Sequence, residues 1–253
     1  MKRLLVLACV LSVLGVPAHA VEPIDTDGPD FVESSEVVPM GRFQYEVGWT
    51  SLSDSPAAPG SALMATPMVL KYGIAKDLEI RLAPSGFLRQ NGDTAWGDMA
   101  VGMKWHAQDR EPALGRAAVS WLLHIDAPSG AHPFKGNALR PSLRSVMTWD
   151  LPRDFALGLM PGIKSDTGDD GHRFTALIFG AVLNKRLSDT TRVFVELSAP
   201  QIATPADGGV IASWDVGTAY LFNNDLQLGL RLGVGANPNS PRHYGLLELA
   251  QRF

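Results

Sequence analysis

Apolar and polar side chains alternate along most of this chain, and the alternation has period two. Between residues 42 and 50, Phe43, Tyr45, Val47 and Trp49 fall on one face while Gln44, Glu46, Gly48 and Thr50 fall on the other. Between 226 and 235, Leu226, Leu228, Leu230, Leu232 and Val234 oppose Gln227, Gly229, Arg231, Gly233 and Gly235. A helix with that spacing would carry leucine all around its surface, whereas a strand puts successive side chains on opposite faces. The pattern predicts about twelve strands, at 41–53, 65–73, 78–84, 94–105, 116–127, 139–149, 155–164, 173–183, 192–199, 210–221, 226–235 and 244–253, with 176–183 apolar on both faces. An even number of strands of this length is what a bacterial membrane barrel requires.

The connections alternate in length. Tight turns are predicted at 73–77, 150–154, 185–190 and 221–225, and longer stretches rich in Pro, Gly and Ser at 54–64, 84–93, 128–137 and 200–209. In outer-membrane barrels short turns face the periplasm and long loops face the exterior, which puts both ends of the barrel sequence on the periplasmic side. The rings agree with this sorting. Phe43, Tyr72, Trp105, Trp149, Phe155, Tyr220 and Phe253 fall at predicted periplasmic strand ends on the outward face, while Trp49 and Trp214 fall near the opposite ends. Such a girdle suits rings at a membrane interface. The predicted fold is therefore all-β: a closed antiparallel transmembrane β-barrel with short periplasmic turns and longer extracellular loops.

The start of the chain reads as a secretory signal peptide at 1–20. Lys2 and Arg3 precede an apolar run ending at Val16, and Ala18-His19-Ala20 offers a small-residue cleavage site. The run is shorter than a spanning helix and Pro17 ends it. Cys9, the only cysteine, lies within the run, so the exported part forms no internal disulfide and a closed barrel must supply its stability. Loss of Lys2 and Arg3 takes the formal charge from −4 to −6, with no basic run to engage nucleic acid. With 25 glycines and 18 prolines, residues 41–253 suit one barrel domain. Residues 21–40 carry Glu22, Asp25, Asp27, Asp30, Glu33 and Glu36 with little alternation. Two readings stand for them: a solvated periplasmic leader, or a small plug in which 31–39 folds against arginines of the lower lumen.

The stretch PDFVESSEVVPMGRFQYE at 29–46 resembles the opening of the Gram-negative outer-membrane family named for the MetA pathway of phenol degradation. The segments 67–73, 78–82, 97–104, 140–143, 173–175 and 194–197 agree in character, so the likeness covers nearly the whole exported chain. It implies a porin-like transporter, passive or facilitated, for small apolar or aromatic molecules, with no catalytic residues to carry over and no cofactor. The permeant itself stays unknown. Phe253, with Leu249 and Leu247 on its face, resembles the signal read by the barrel-assembly machinery, although Gln251 stands where similar barrels favour an aromatic residue. Outer-membrane lipid and lipopolysaccharide are the other expected partners.

The inward set receives charges of both signs. Glu79, Arg81, Asp98, Lys104, Arg140, Arg144, Glu196, Asp215 and Arg231 are candidates for a lumen constriction, with Glu46, Lys71, Asp126, Arg173 and Glu248 on the same predicted face. They suit either a salt-bridge network that stiffens the barrel or a polar constriction that selects permeants. The expected pairing joins Arg81, Lys104, Arg140, Arg144 and Arg231 to Glu79, Asp98, Glu196 and Asp215. Two rival classes are an adhesive or structural barrel with binding loops, and a lipid hydrolase. Ser120, His124 and Asp126 share one strand face, but at ~3.4 Å per residue Ser120 and His124 stand ~13 Å apart, beyond hydrogen-bond reach. Asp166, Asp169 and Asp170 suit a hard cation by type, yet lack regular calcium-loop spacing and read better as a solvated loop; no metal site is expected.

Overall fold

The computed structural model describes residues 22–168 and 170–253. The expected signal peptide and Asp169 lie outside the described residues. One antiparallel sheet contains β1 (Phe43–Leu52), β2 (Leu63–Ala65), β3 (Met68–Ala75), β4 (Leu78–Pro84), β5 (Phe87–Gln90), β6 (Asp93–Trp96), β7 (Met99–Gln108), β8 (Ala118–Ala127), β9 (Arg140–Leu151), β10 (Phe155–Thr167), β11 (Arg173–Arg186), β12 (Thr191–Ile202), β13 (Val210–Asn223), β14 (Leu226–Gly235) and β15 (His243–Arg252). The sheet closes on itself where β1 pairs with β15, from Gln44 opposite Arg252 to Leu52 opposite Tyr244. Twelve strands form the ring. The other three, β2, β5 and β6, extend from the end of β1 at the long-loop rim, paired in that order.

Strands β4 and β14 coincide with their predicted ranges, and most of the others differ by a few residues. The predicted strand 94–105 is instead two elements, β6 and β7, broken at Gly97 and Asp98. The break has a cause: the Asp98 carboxylate accepts hydrogen bonds from the backbone N–H of Gly130 (2.9 Å) and Gly136 (3.0 Å), turning away from the strand to hold the loop at 128–139. The stretches 54–64 and 84–93, expected as loops, contain β2 and β5. Strands of three and four residues are too short for alternation to show.

The outward face is apolar over its whole circumference. Val101, Leu123, Leu143, Leu177, Val195, Val216 and Leu232 are all exposed, a belt no water-soluble barrel presents and one that a bilayer covers. At the short-turn rim Phe43, Tyr72, Trp105, Tyr220 and Phe253 are exposed on this face, and Trp149 and Phe155 are half-buried. Lys185 Nζ lies 4.9 Å from the Phe155 ring centroid, and Phe253 sits 6.3 Å from Phe43 and 5.9 Å from Tyr45. Trp121, opposite Trp105, and Phe222, edge-on to Tyr220 at 5.1 Å, stand at the same rim.

Residues 22–40 run inside the ring. Val32 packs with Val146, Met160, Val182 and Phe194 from four consecutive strands, with Phe31 against them. The wall leaves room for this chain by omitting side chains: a Cβ at Gly180 would come within 2.6 Å of Val32, and one at Gly229 within 2.7 Å of Pro29.

Candidate functional site

The inner segment begins and ends at the short-turn rim. Ile24 N donates to Asn224 O (2.7 Å), Arg252 Nη2 donates to Glu22 O (2.6 Å), and Gly41 N donates to Gly73 O (2.8 Å). Among the described residues only Met40 of this stretch bridges to the wall, at Gly73, so the rest of its buried backbone must find other groups. The wall supplies carboxylates. Glu46 accepts from Asp27 N (3.1 Å), Glu196 from Phe31 N (2.8 Å) and Val32 N (2.7 Å), and Glu79 from Val38 N (2.7 Å). The Ser35 carbonyl accepts from Ser120 Oγ and lies 2.8 Å from His106 Nδ1.

The segment's own carboxylates meet wall cations. Asp27 bonds Lys71 Nζ (2.9 Å), Lys104 Nζ (2.6 Å) and the Arg81 guanidinium. Glu33 bonds Arg81 (2.5 Å) and Arg144 (2.7 Å), and Asp30 bonds Arg192 (2.7 Å). Lys71 also pairs with Glu46, and Arg81 Nε stands 3.1 Å from Glu79. Lys71, Arg81, Lys104 and Arg144 thus face Asp27, Glu33, Glu46 and Glu79, and half of those carboxylates belong to the segment. Each ion is taken out of water here, so the array is stable only as a complete set.

Of the pairings expected from the sequence, the structure brings together Arg81 with Glu79, Arg140 with Asp98 (2.8 Å), and Arg231 with Glu196 (3.5 Å). Lys104 and Arg144 bond the segment's carboxylates instead. Asp215 has no cation partner among the described residues; it accepts from Ser198 Oγ (2.8 Å) and from Tyr244 OH, while Arg231 lies over the Tyr244 ring at 5.4 Å. Arg173 is a correction. It shares the face of Leu177 and Leu183 and donates to Leu139 O (3.0 Å) and Ser165 Oγ (2.9 Å) at the loop rim, because the β11 register puts odd-numbered residues outward. The lumen's apolar patch was missed in the sequence because Met160 and Val182 lie in runs apolar on both faces, and Val146 stands alone on its face between Arg144 and Thr148. The segment's acidity was the available signal for its cationic partners.

Two cavities flank the segment. One, of about 670 Å³, opens among the short turns and is lined by Val32, Glu33, Ser35, Arg110, Asp150 and Arg192, among others. The second, of about 270 Å³, lies toward the long loops, lined by Phe31, Asp126, Arg140, Arg144, Lys164 and Ile178 among others. Adjacent residues of one short stretch therefore line opposite cavities: Phe31 faces one, Val32 and Glu33 the other.

Ser120 does not meet His124 along its own strand; its nearest histidine is His106 on β7, with Nδ1 at 3.3 Å, and His106 Nε2 is 2.9 Å from Asp109. The Ser35 carbonyl, facing both Ser120 and His106, is where a substrate would have to reach. Asp166 bonds Lys164 (2.9 Å), and Asp170 bonds His172. Outside the membrane-spanning strands, His172 joins two loops, with Nδ1 2.5 Å from Asp170 and Nε2 2.8 Å from Asp207. The hydrogen bonds its ring donates to Asp207 and then to Asp170 raise its pKa above the ordinary histidine value, and the same bonds hold both carboxyls below theirs.

A closed ring of twelve strands with an apolar belt outside and a largely polar lumen defines a transmembrane β-barrel of the outer-membrane type. The chain belongs to the family described as "Putative MetA-pathway of phenol degradation", whose model matches residues 26–253. Its fold is similar to the COG4313 outer membrane channel from Pseudomonas putida F1 (15% identity, TM-score 0.64, covering 87% of this chain and 98% of that one). It is also similar to the NanC porin (11%, 0.55, 82% and 97%) and the KdgM porin (10%, 0.53, 84% and 99%). No curated relative matches the sequence.

Proposed function

We propose that this chain is an outer-membrane channel for small organic molecules, long loops outward, and that residues 22–40 are its plug. One observation carries the reading: the Phe31, Val32 and Glu33 stretch lies between the two cavities, so a solute crossing the barrel must displace it. The similar solved structures are named as channels and porins, which supports transport. The preference for apolar or aromatic permeants is supported by the patch of Val146, Met160, Val182 and Phe194 facing the path, and by the family's connection with phenol degradation.

The test uses the full chain in liposomes and in cells. Wild type should pass a small membrane-impermeant sugar such as arabinose slowly, and Asp27→Asn with Glu33→Gln should raise that flux about tenfold or more, since each ~1.4 kcal/mol taken from plug binding shifts the open population tenfold. On whole cells, cysteine at Pro59 should react with an impermeant thiol reagent and cysteine at Asp189 should not. No flux from either protein, or the reverse labelling pattern, would overturn the reading.

A further inference from the structure

Around the ring the lumen wall changes character in a fixed order. Lys71, Arg81, Lys104 and Arg144 stand on β3, β4, β7 and β9 and form a cationic arc. Val146, Met160, Val182 and Phe194 follow on β9 to β12 as an apolar arc. Glu196 on β12 then presents a carboxylate that accepts hydrogen bonds. These three zones are filled by three consecutive residues of the plug. The N–H groups of Phe31 and Val32 donate to Glu196, the Val32 side chain packs on the apolar arc with Phe31 against it, and the Glu33 carboxylate bonds Arg81 and Arg144.

The plug therefore satisfies the wall as a ligand would: a hydrogen-bond donor at one end, an apolar body in the middle and a carboxylate at the other. A permeant that displaces it must replace those contacts, because stripping a buried guanidinium or carboxylate of its partner costs far more than exchanging one partner for another. An entirely apolar solute would leave Arg144 without Glu33, and Glu196 with Arg231 alone, 3.5 Å away. Arg144 is also reachable by a solute before the plug moves. It lines the long-loop cavity beside Phe31 with its side chain 22% exposed, and Arg140 and Lys164 stand in the same cavity. An incoming carboxylate can meet Arg144 there while Glu33 still holds the guanidinium from the other side.

Resting on the channel reading above, we infer that the lumen is a binding site for small ring-bearing carboxylic acids with a hydrogen-bond donor opposite the carboxylate, of the hydroxy- or amino-substituted aromatic acid class. The plug is an internal occupant of that site, and the acid opens the path by taking Glu33's place on Arg144.

The experiment follows exposure of Val32. In full-length Val32→Cys protein in detergent, the rate of modification by a small water-soluble thiol reagent reads displacement of the plug. Saturating 4-hydroxybenzoate should raise that rate about tenfold or more, the scale of a charge-assisted hydrogen bond exchanged at each end. Its methyl ester should leave the rate unchanged, benzoate should act more weakly, and Arg144→Gln should abolish the effect of the acid. Calorimetric titration of 4-hydroxybenzoate into wild type gives the same comparison if Val32→Cys fails to fold. Arabinose flux is measured on the same preparations. Flux with no response to the acid, or an equal response to acid and ester, overturns this inference and leaves the channel intact; absence of flux from wild type and the Asp27→Asn, Glu33→Gln protein overturns the channel reading itself.

Discussion

At the scale of single residues, Asp27 carries more of the interior than any other side chain. It is buried, and one carboxylate serves Lys71, Arg81 and Lys104 together. Asp27→Asn keeps the shape and removes the charge, leaving three cations with a partner too few. Removing one partner of a buried array costs ~3–5 kcal/mol, so the denaturation midpoint of this variant, followed by loss of heat-modifiable migration on a gel, should fall clearly below wild type. An unchanged midpoint would show that the cations re-pair with Glu33, Glu46 and Glu79. Asp98→Asn should act differently, because Asp98 holds the backbone of Gly130 and Gly136; its effect should be faster proteolysis within 128–139. Which face a residue takes was legible in the sequence for Glu79, Arg81, Lys104 and Glu196, since parity along a strand needs only local order. Which partner it finds was not: Lys104 and Asp27 are 77 residues apart, and nothing local encodes their meeting.

Elements show the same division. The long strands could be read because each repeats one alternation many times, whereas β2, β5 and β6 are three or four residues long and depend on pairing with one another above the rim. There Phe87 and Trp96 pack at 4.2 Å across a turn that carries no alternating pattern. The inner segment has no periodicity at all; its shape comes from wall groups. The loops are tied by chemistry that depends on pH. His172 bonds Asp170 on its own loop and Asp207 on the next, and its pKa is raised, so its contribution is fully present below the unfolded-histidine value and is lost as pH rises through the higher folded one. The two carboxyls have lowered pKa values, so their contribution is lost only as pH falls through those. The tie therefore holds from the acid side of neutrality down to the carboxylate range. The protection of amides in 170–172 and 203–209, measured against their intrinsic exchange at each pH, should fall as pH rises through the raised His172 pKa, and His172→Gln should remove that fall. Protection that stays flat with pH in wild type would mean the loops are held by other contacts.

The whole molecule is a ring whose last bond joins its first and last strands. The seam between β1 and β15 needs residues 244–252, so the cylinder stays open until β15 pairs with β1, and residues 22–40 lie just ahead of the strand that waits for it. A segment bonded to β1, β3, β4, β7, β9 and β12 is far easier to surround than to thread afterwards into a filled lumen. If the sheet closes around it, the segment acts as a mandrel, its acids gathering the cationic strands as the sheet curls. Contacts already present at the rate-limiting step change the folding rate, and contacts made later change the unfolding rate. Refolding of the Asp27→Asn, Glu33→Gln protein into detergent micelles should therefore slow several-fold while unfolding changes little. The opposite partition would mean that the cylinder closes empty and is filled afterwards. If the mandrel is right, the same nineteen residues that fill the finished barrel also shape it, and a version of this barrel with an empty bore would be harder to make than to imagine.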